Sequence, residues 1–151
     1  MTGGSRVGAD LTGRWRLLQW RSVDEATGAT LGHPFGEAAA GAVVYTPGGW
    51  MYGQLSGESR PSMSTSDAVG GPEHERAAAY STYVAYWGRY EIEDDRIVHH
   101  VEQSLFPAWS GGTQVRYFTL SDGVLVLRTP AIELRGDLVV NELRWQREEA
   151  W

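Results

Sequence analysis

The stretch from Tyr83 to Trp109, YVAYWGRYEIEDDRIVHHVEQSLFPAW, constrains the fold more than any other part of the chain. Aromatic and apolar residues alternate with charged ones on both sides of Asp94-Asp95, which is the period of a β-strand. The segment therefore reads as a long antiparallel hairpin followed by an aromatic, Pro-containing loop. Taking Asp94-Asp95 as a two-residue turn pairs Ile92 with Ile97, Tyr90 with His99, Gly88 with Val101 and Tyr86 with Gln103. That face is apolar and aromatic apart from His99 and Gln103. The opposite face carries Arg89, Glu91, His100 and Glu102, a charge-paired surface suited to water. Successive strand residues point to opposite sides, so His99 is expected inside and His100 outside. A one-residue slip in the turn would exchange them. Adjacent strand residues diverge, so the two do not read as a metal-binding pair.

The same pattern recurs along the chain. Residues 13–23, GRWRLLQWRSV, alternate so that Trp15, Leu17 and Gln19 share one face, and Arg14, Arg16, Leu18 and Trp20 the other. The arginines place Trp15 and Leu17 inward and Trp20 outward. A short extended piece is expected around residues 29–31. Residues 42–55 form a second hairpin around Pro47-Gly48, with Tyr45 opposite Trp50 and Val44 opposite Met51. Residues 56–71, SGESRPSMSTSDAVGG, form a long loop, read either as the rim or lid of a site or as a disordered segment. Pro72 opens the one helix, with Glu73 and Glu75 at its positive end and Ala77, Tyr80 and Val84 on one stripe. The helix ends near Thr82. A third hairpin turns at Asp122-Gly123 and pairs Leu120 with Leu125, Phe118 with Leu127 and Arg116 with Thr129. The last strand runs from about Asp137 to Arg147, with Val139, Asn141, Leu143 and Trp145 alternating.

About eight or nine strands joined as sequential hairpins, with one short helix, predict an all-β domain: an antiparallel up-and-down barrel, since closure removes exposed edges. Such a barrel has room for side chains or one small ligand. Residues 1–10 are expected to be disordered, 11–147 to form the barrel, and 148–151 to be a tail. The 151 residues contain no cysteine, which excludes disulfide frameworks and thiolate chemistry. A net charge of -6 without a basic stretch argues against nucleic acid as a partner. No apolar run is long enough to cross a membrane, and the start lacks the pattern of a secretory signal, so a soluble, cytoplasmic protein is expected.

On this register His99 and Arg116 project into one cavity lined by Tyr86, Tyr90, Phe118 and Trp145. Trp15, Met51, Gln103 and Asn141 complete the expected ligand-binding set, together with Trp109 from the Phe106-Pro107-Trp109 rim. An inward guanidinium needs a partner: a carboxylate, a carbonyl, a stacking tryptophan such as Trp15 or Trp145, or an oxygen of a ligand. His99 is either held by a tyrosine hydroxyl or used in chemistry. His33 and His74 are assigned no role. Nucleophile motifs, phosphate loops and metal-ligand spacings are absent, so no metal and no cofactor are expected.

The order GRW, YTPGGWM, YWGRYEI, HHVEQSLFPAW, QVRYF and LRWQR resembles the lipocalin-like domain family of small bacterial and fungal proteins, from about Leu11 to Arg147. Gly13-x-Trp15 with Arg144 or Arg147 is similar to the calycin signature, in which an arginine of the last strand packs on a first-strand tryptophan. The resemblance implies a calycin-type barrel open at one end. Related barrels include transporters of hydrophobic molecules and cofactor-free enzymes of specialised metabolism. The chain departs from secreted lipocalins in lacking cysteines and a signal peptide.

Two functions follow as expectations. One is a barrel that binds a small, mostly hydrophobic molecule with a carbonyl or carboxylate, oriented by Arg116, His99 and tyrosine hydroxyls. The alternative is a cofactor-independent cyclase, isomerase or dehydratase acting on a polyketide- or terpenoid-like intermediate. There His99 would move a proton with a pKa near neutrality, and Arg116 would stabilise an oxyanion. Haem ligated by His99 is a third, outlying reading. Aromatic residues on the outer face, Trp20 and Trp87, suggest a homodimer patch.

Overall fold

The computed structural model describes residues 10–149. The expected disordered start, up to residue 9, and the last two residues of the expected tail lie outside the described residues. In chain order the elements are β1 (Gly13–Asp24), β2 (Thr30–Gly32), β3 (Ala40–Tyr45), β4 (Trp50–Ser56), α1 (Glu73–Ser81), β5 (Tyr83–Glu93) and β6 (Arg96–Ser104). A single 3-10 turn (Pro107–Trp109) precedes β7 (Thr113–Ser121), β8 (Val124–Arg128), β9 (Ile132–Leu134) and β10 (Asp137–Glu148). Strands β1, β3, β4, β5, β6, β7, β8 and β10 pair antiparallel in that order, and β10 returns to β1 to close the barrel. The short strands β2 and β9 extend the sheet beside β1 and β10. Among the described residues no helix is long and apolar enough to cross a membrane.

Turn chemistry sets most of the register. Asp122 and Gly123, at φ of 51° and 77°, form a tight turn, and Arg135-Gly136, at 53° and 87°, repeat it between β9 and β10. Ile92 faces Ile97, Tyr90 faces His99, Phe118 faces Leu127 and Leu120 faces Leu125, as the sequence predicts. The first hairpin departs from expectation: Tyr45 pairs with Met51, and Val44 with Tyr52. The Thr46 amide donates to the Trp50 carbonyl and Gly49 takes a φ of 90°, so the loop is one residue longer than a two-residue turn.

Two bulges alter which residues face inward. In β1 the register shifts between Leu17 and Gln19, and Trp20, expected outside, turns onto the inner face. This withdraws Trp20 from the proposed outer patch, while Trp87 stays 38% exposed beside Trp50 and Tyr52. In β5 the shift falls between Trp87 and Gly88, so Gln103 pairs with Trp87 rather than Tyr86 and is exposed, not inward. Gly88 makes this close approach possible, because a Cβ there would lie 1.9 Å from the His100 carbonyl oxygen.

The helix runs close to its expected span, with Pro72 just before its first residue. Its expected apolar stripe buries nothing: no residue of α1 is buried, and Tyr80 is 46% exposed. Residues 57–72 carry no strand or helix and are tied to α1 by Ser64 donating to Glu75, and Arg60 donating to the Ala79 carbonyl and Thr82 hydroxyl.

Leu11, Trp15, Leu17, Tyr45, Ile97, Phe118 and Leu125 fill the closed end. There the Trp15 indole donates to the Leu11 carbonyl at 2.9 Å, and the Arg147 guanidinium lies 4.2 Å over its ring. Arg147 also donates to the Thr12 and Asp10 carbonyls, both at 2.6 Å, so the arginine of the resemblance is Arg147 rather than Arg144. On the outer side of the closing seam, Glu142 is buried between Arg21 and Arg128, its cross-strand partners. Arg21 Nε donates to Oε1 at 2.9 Å and Arg128 Nη2 to Oε2 at 2.7 Å. Burial alone would raise the Glu142 carboxyl, but those hydrogen bonds outweigh it and hold it below its ordinary value.

Candidate functional site

Above the closed end the barrel opens into a cavity of about 340 Å³. Val43, Met51, Leu127, Leu143 and Trp145 belong both to the core and to the cavity wall, so they form its floor. Leu55, Val84, Trp109 and Ile132 line it as well. Of the residues expected from the sequence, Met51, Tyr86, His99, Trp109, Arg116, Asn141 and Trp145 stand on the wall. Trp15, Tyr90 and Phe118 do not: Trp15 and Phe118 are packed in the closed end, and the Tyr90 hydroxyl donates to the Thr46 carbonyl. Gln103 lies outside the barrel, for the reason given above. None of residues 57–72 lines this cavity.

Sequence reasoning missed Trp20, Gln54 and Gln114 on the wall. Gln114 was within reach, since it lies two residues before Arg116 on the same strand face. Trp20 was not, because only the β1 bulge turns it inward.

His99 is the most enclosed polar group of the site, 2% exposed. Both ring nitrogens are engaged: the Tyr45 hydroxyl lies 2.8 Å from Nε2 and the Tyr86 hydroxyl 2.6 Å from Nδ1. Tyr86 in turn meets the edge of Trp109 on the rim turn, with ring centroids 5.8 Å apart. A column of rings, Trp109, Tyr86, His99 and Tyr45, thus runs from rim to core. Burial, then the nearby Arg116 and His100 charges, push the His99 pKa down to about 3, so the imidazole is neutral at physiological pH. Burial raises both the Tyr45 and Tyr86 hydroxyls, and both stay protonated. His100 faces out, 2.7 Å from the Glu91 carboxylate.

Arg116 lines the cavity without a carboxylate partner among the described residues. Its Nη1 donates to the Val115 carbonyl at 2.8 Å and its Nη2 to Gln114 Oε1 at 3.3 Å, which leaves other guanidinium N–H groups without an acceptor among the described residues. It does not stack on Trp15, where Arg147 sits. Asn141 Oδ1 accepts from Trp20 Nε1 at 3.0 Å and from the Ser22 hydroxyl at 3.1 Å. The indole nitrogen of Trp145 is buried with no hydrogen-bond partner among the described residues. An orphaned buried donor is uncommon, and this one stands on the wall of a cavity.

Among the described residues no three of His, Asp and Glu are grouped to hold a metal ion. Ligation of haem iron by His99 would require breaking one of its tyrosine hydrogen bonds.

A family model described as a lipocalin-like domain matches residues 12–148. A relative in Aspergillus oryzae, named as a 4'-hydroxy-3'-methoxypropiophenone carrier protein, is 31% identical over 87 residues, which is 52% of this chain and 78% of that one. Among solved structures, an uncharacterised protein from Bacteroides eggerthii has 14% identity and a TM-score of 0.46, covering 92% of this chain and 100% of that one. A variant of the fluorescent protein UnaG has 12% identity and a TM-score of 0.36, covering 91% of this chain and 95% of that one.

Proposed function

We propose that this chain, which belongs to the lipocalin-like domain family, is a binding barrel for one small, mostly apolar molecule that carries a carbonyl or carboxylate oxygen. The observation that carries the reading is the indole N–H of Trp145, unpartnered among the described residues, on a cavity wall that also carries Arg116, which has no carboxylate partner among them. A buried donor without an acceptor costs roughly 1–3 kcal/mol, and an oxygen of a guest would remove that cost. The cavity volume of about 340 Å³ lies toward the small end of ligand pockets, which run roughly from 300 to 1,000 Å³. Its apolar walls would supply most of the affinity, at about 25 cal/mol per Å² buried. The relative named as a carrier of an aryl ketone supports a guest of similar size and polarity.

The alternative, a cofactor-independent cyclase, isomerase or dehydratase, drew on an imidazole titrating near neutrality. A His99 pKa of about 3, with both nitrogens bonded to tyrosines, removes that support.

Native mass spectrometry of the protein as purified tests the binding reading. A retained small molecule, released unchanged on denaturation, is the expected result. Titration with 4-phenylbutyrate should show saturable binding that Arg116→Ala weakens by about tenfold or more, the usual worth of a hydrogen bond to a charged group. A barrel that emerges empty and binds neither this acid nor an aryl ketone overturns the proposal.

A further inference from the structure

Resting on the binding reading above, we infer that Tyr86 is the specificity-determining donor of the cavity, its hydroxyl proton kept free for the guest by a single His99 tautomer that Tyr45 imposes from the core.

Tyr45 is 0% exposed and is not part of the cavity wall, so neither solvent nor a guest reaches its hydroxyl. Its one hydrogen-bond neighbour among the described residues is His99 Nε2, at 2.8 Å. A neutral imidazole has one N–H and one bare nitrogen, so the two tyrosines cannot both donate to it and cannot both accept from it. If Nε2 carried the proton it would donate to Tyr45, whose own proton would then be buried without an acceptor. If Nδ1 carries it, Tyr45 donates to Nε2, and Nδ1–H donates to the Tyr86 oxygen at 2.6 Å. The proton then without an acceptor among the described residues is that of Tyr86, on the cavity wall rather than in the core, and the cost of a hydroxyl orphaned in the core biases the pair toward this tautomer by roughly tenfold or more. The depressed His99 pKa agrees, since it keeps the ring neutral over the working pH range.

This pattern fixes what Tyr86 presents. Its oxygen accepts from His99, and its proton has no acceptor among the described residues, so the hydroxyl donates into the cavity that Tyr86 lines. The opposite tautomer would turn Tyr86 into a bare acceptor and favour guests bearing donors.

The rest of the wall points the same way. Three side-chain amides line the cavity, Gln54, Gln114 and Asn141, and each has its oxygen already taken. The oxygen of Gln54 accepts from the Tyr83 hydroxyl, that of Gln114 from Arg116, and that of Asn141 from Trp20 and Ser22. The orientations of Gln114 and Asn141 are forced, because guanidinium and indole N–H groups can only donate. Among the described residues, the groups on this wall with a proton still to donate include the Tyr86 O–H, the Trp145 N–H and spare N–H groups of Arg116. A guest is therefore selected for acceptor oxygens, such as those of a ketone, an ester or a carboxylate, and against groups that can only donate.

Two measurements on the intact protein test this. In ¹⁵N-histidine-labelled protein without ligand, His99 should show a protonated Nδ1 and a bare Nε2; the reverse assignment overturns the inference and leaves the binding reading untouched. Calorimetric titration with propiophenone and with propylbenzene, a matched pair differing in the carbonyl oxygen, should show preference for the ketone by about tenfold or more. Tyr86→Phe should reduce that preference several-fold. Tyr45→Phe, with Tyr86 intact, should shift the His99 tautomer toward Nε2–H and reduce the same preference, an effect that a merely structural Tyr45 would not produce. Equal binding of both probes to the unaltered protein overturns the inference while the binding reading stands. If neither probe nor 4-phenylbutyrate binds although Nδ1 carries the proton, and the purified barrel is empty, the binding reading falls and this inference with it.

Discussion

Two tryptophans and two arginines divide between the ends of the barrel, Trp15 and Arg147 at the closed end and Trp145 and Arg116 on the cavity wall. At the closed end the Trp15 indole donates to the Leu11 carbonyl, and Arg147 covers the ring while donating to two backbone carbonyls. On the cavity wall the Trp145 indole has no partner among the described residues, and Arg116 is tied to Val115 and Gln114 on its own strand. Both tryptophans are almost fully buried, so burial does not separate a structural ring from a functional one. Hydrogen-bond satisfaction does. A satisfied end stabilises the fold, and an unsatisfied end is left with interactions to offer a guest.

The sharpest way to break this comparison is to remove the satisfied ring. Trp15→Ala should destabilise the protein by about 3–5 kcal/mol in urea unfolding, the usual cost of emptying a core position of this size. A loss below about 1 kcal/mol would show that the closed end does not carry the fold.

His99 stands where the two ends meet, and acid should report it. Its folded pKa of about 3 lies below the unfolded value of 6.5, so the unfolded chain binds the extra proton first. The contribution is fully present above pH 6.5 and is lost as pH falls from there toward about 3. The loss should be up to about 5 kcal/mol, read from stability curves against pH. His99→Gln should flatten the slope in that window. Glu142, whose carboxyl is held low, adds a further loss in stronger acid that this variant retains.

The smallest effect sharpens the contrast most. Trp145→Phe deletes an orphaned donor, so the stability of the unliganded protein should stay within about 1 kcal/mol of the original, with ketone binding weakened. Trp15→Phe, the same change at the other end, should cost more, because it strands the Leu11 carbonyl. Equal costs in urea unfolding would mean that satisfaction is not what distinguishes the two sites.

The parts of the site legible in the sequence are those that a period of two and a tight turn can specify. Asp94-Asp95 and Asp122-Gly123 place His99 inward, His100 outward and Phe118 opposite Leu127, because local turn geometry propagates unchanged along a regular ladder. The reading fails wherever the ladder gains a residue. The bulge at Leu17/Gln19 brings Trp20 onto the cavity wall, and the one at Trp87/Gly88 sends Gln103 outside. Gly88 carried a visible hint, as glycine inside a strand often marks a bulge, whereas Leu17, Leu18 and Gln19 carried none.

By itself, the sequence determined the all-β class, the order of hairpins, the single helix and the inward side of the His99 strand, since these rest on periodicity and turn residues within a few positions. Tertiary structure alone decided that Arg147 rather than Arg116 covers Trp15, that Tyr45 and Tyr86 hold the two nitrogens of His99, and that the Trp145 indole is left unmet. Those are contacts between strands far apart in the chain. Closure of the β1–β10 seam and the two bulges set which of them meet, and no local pattern encodes that closure geometry.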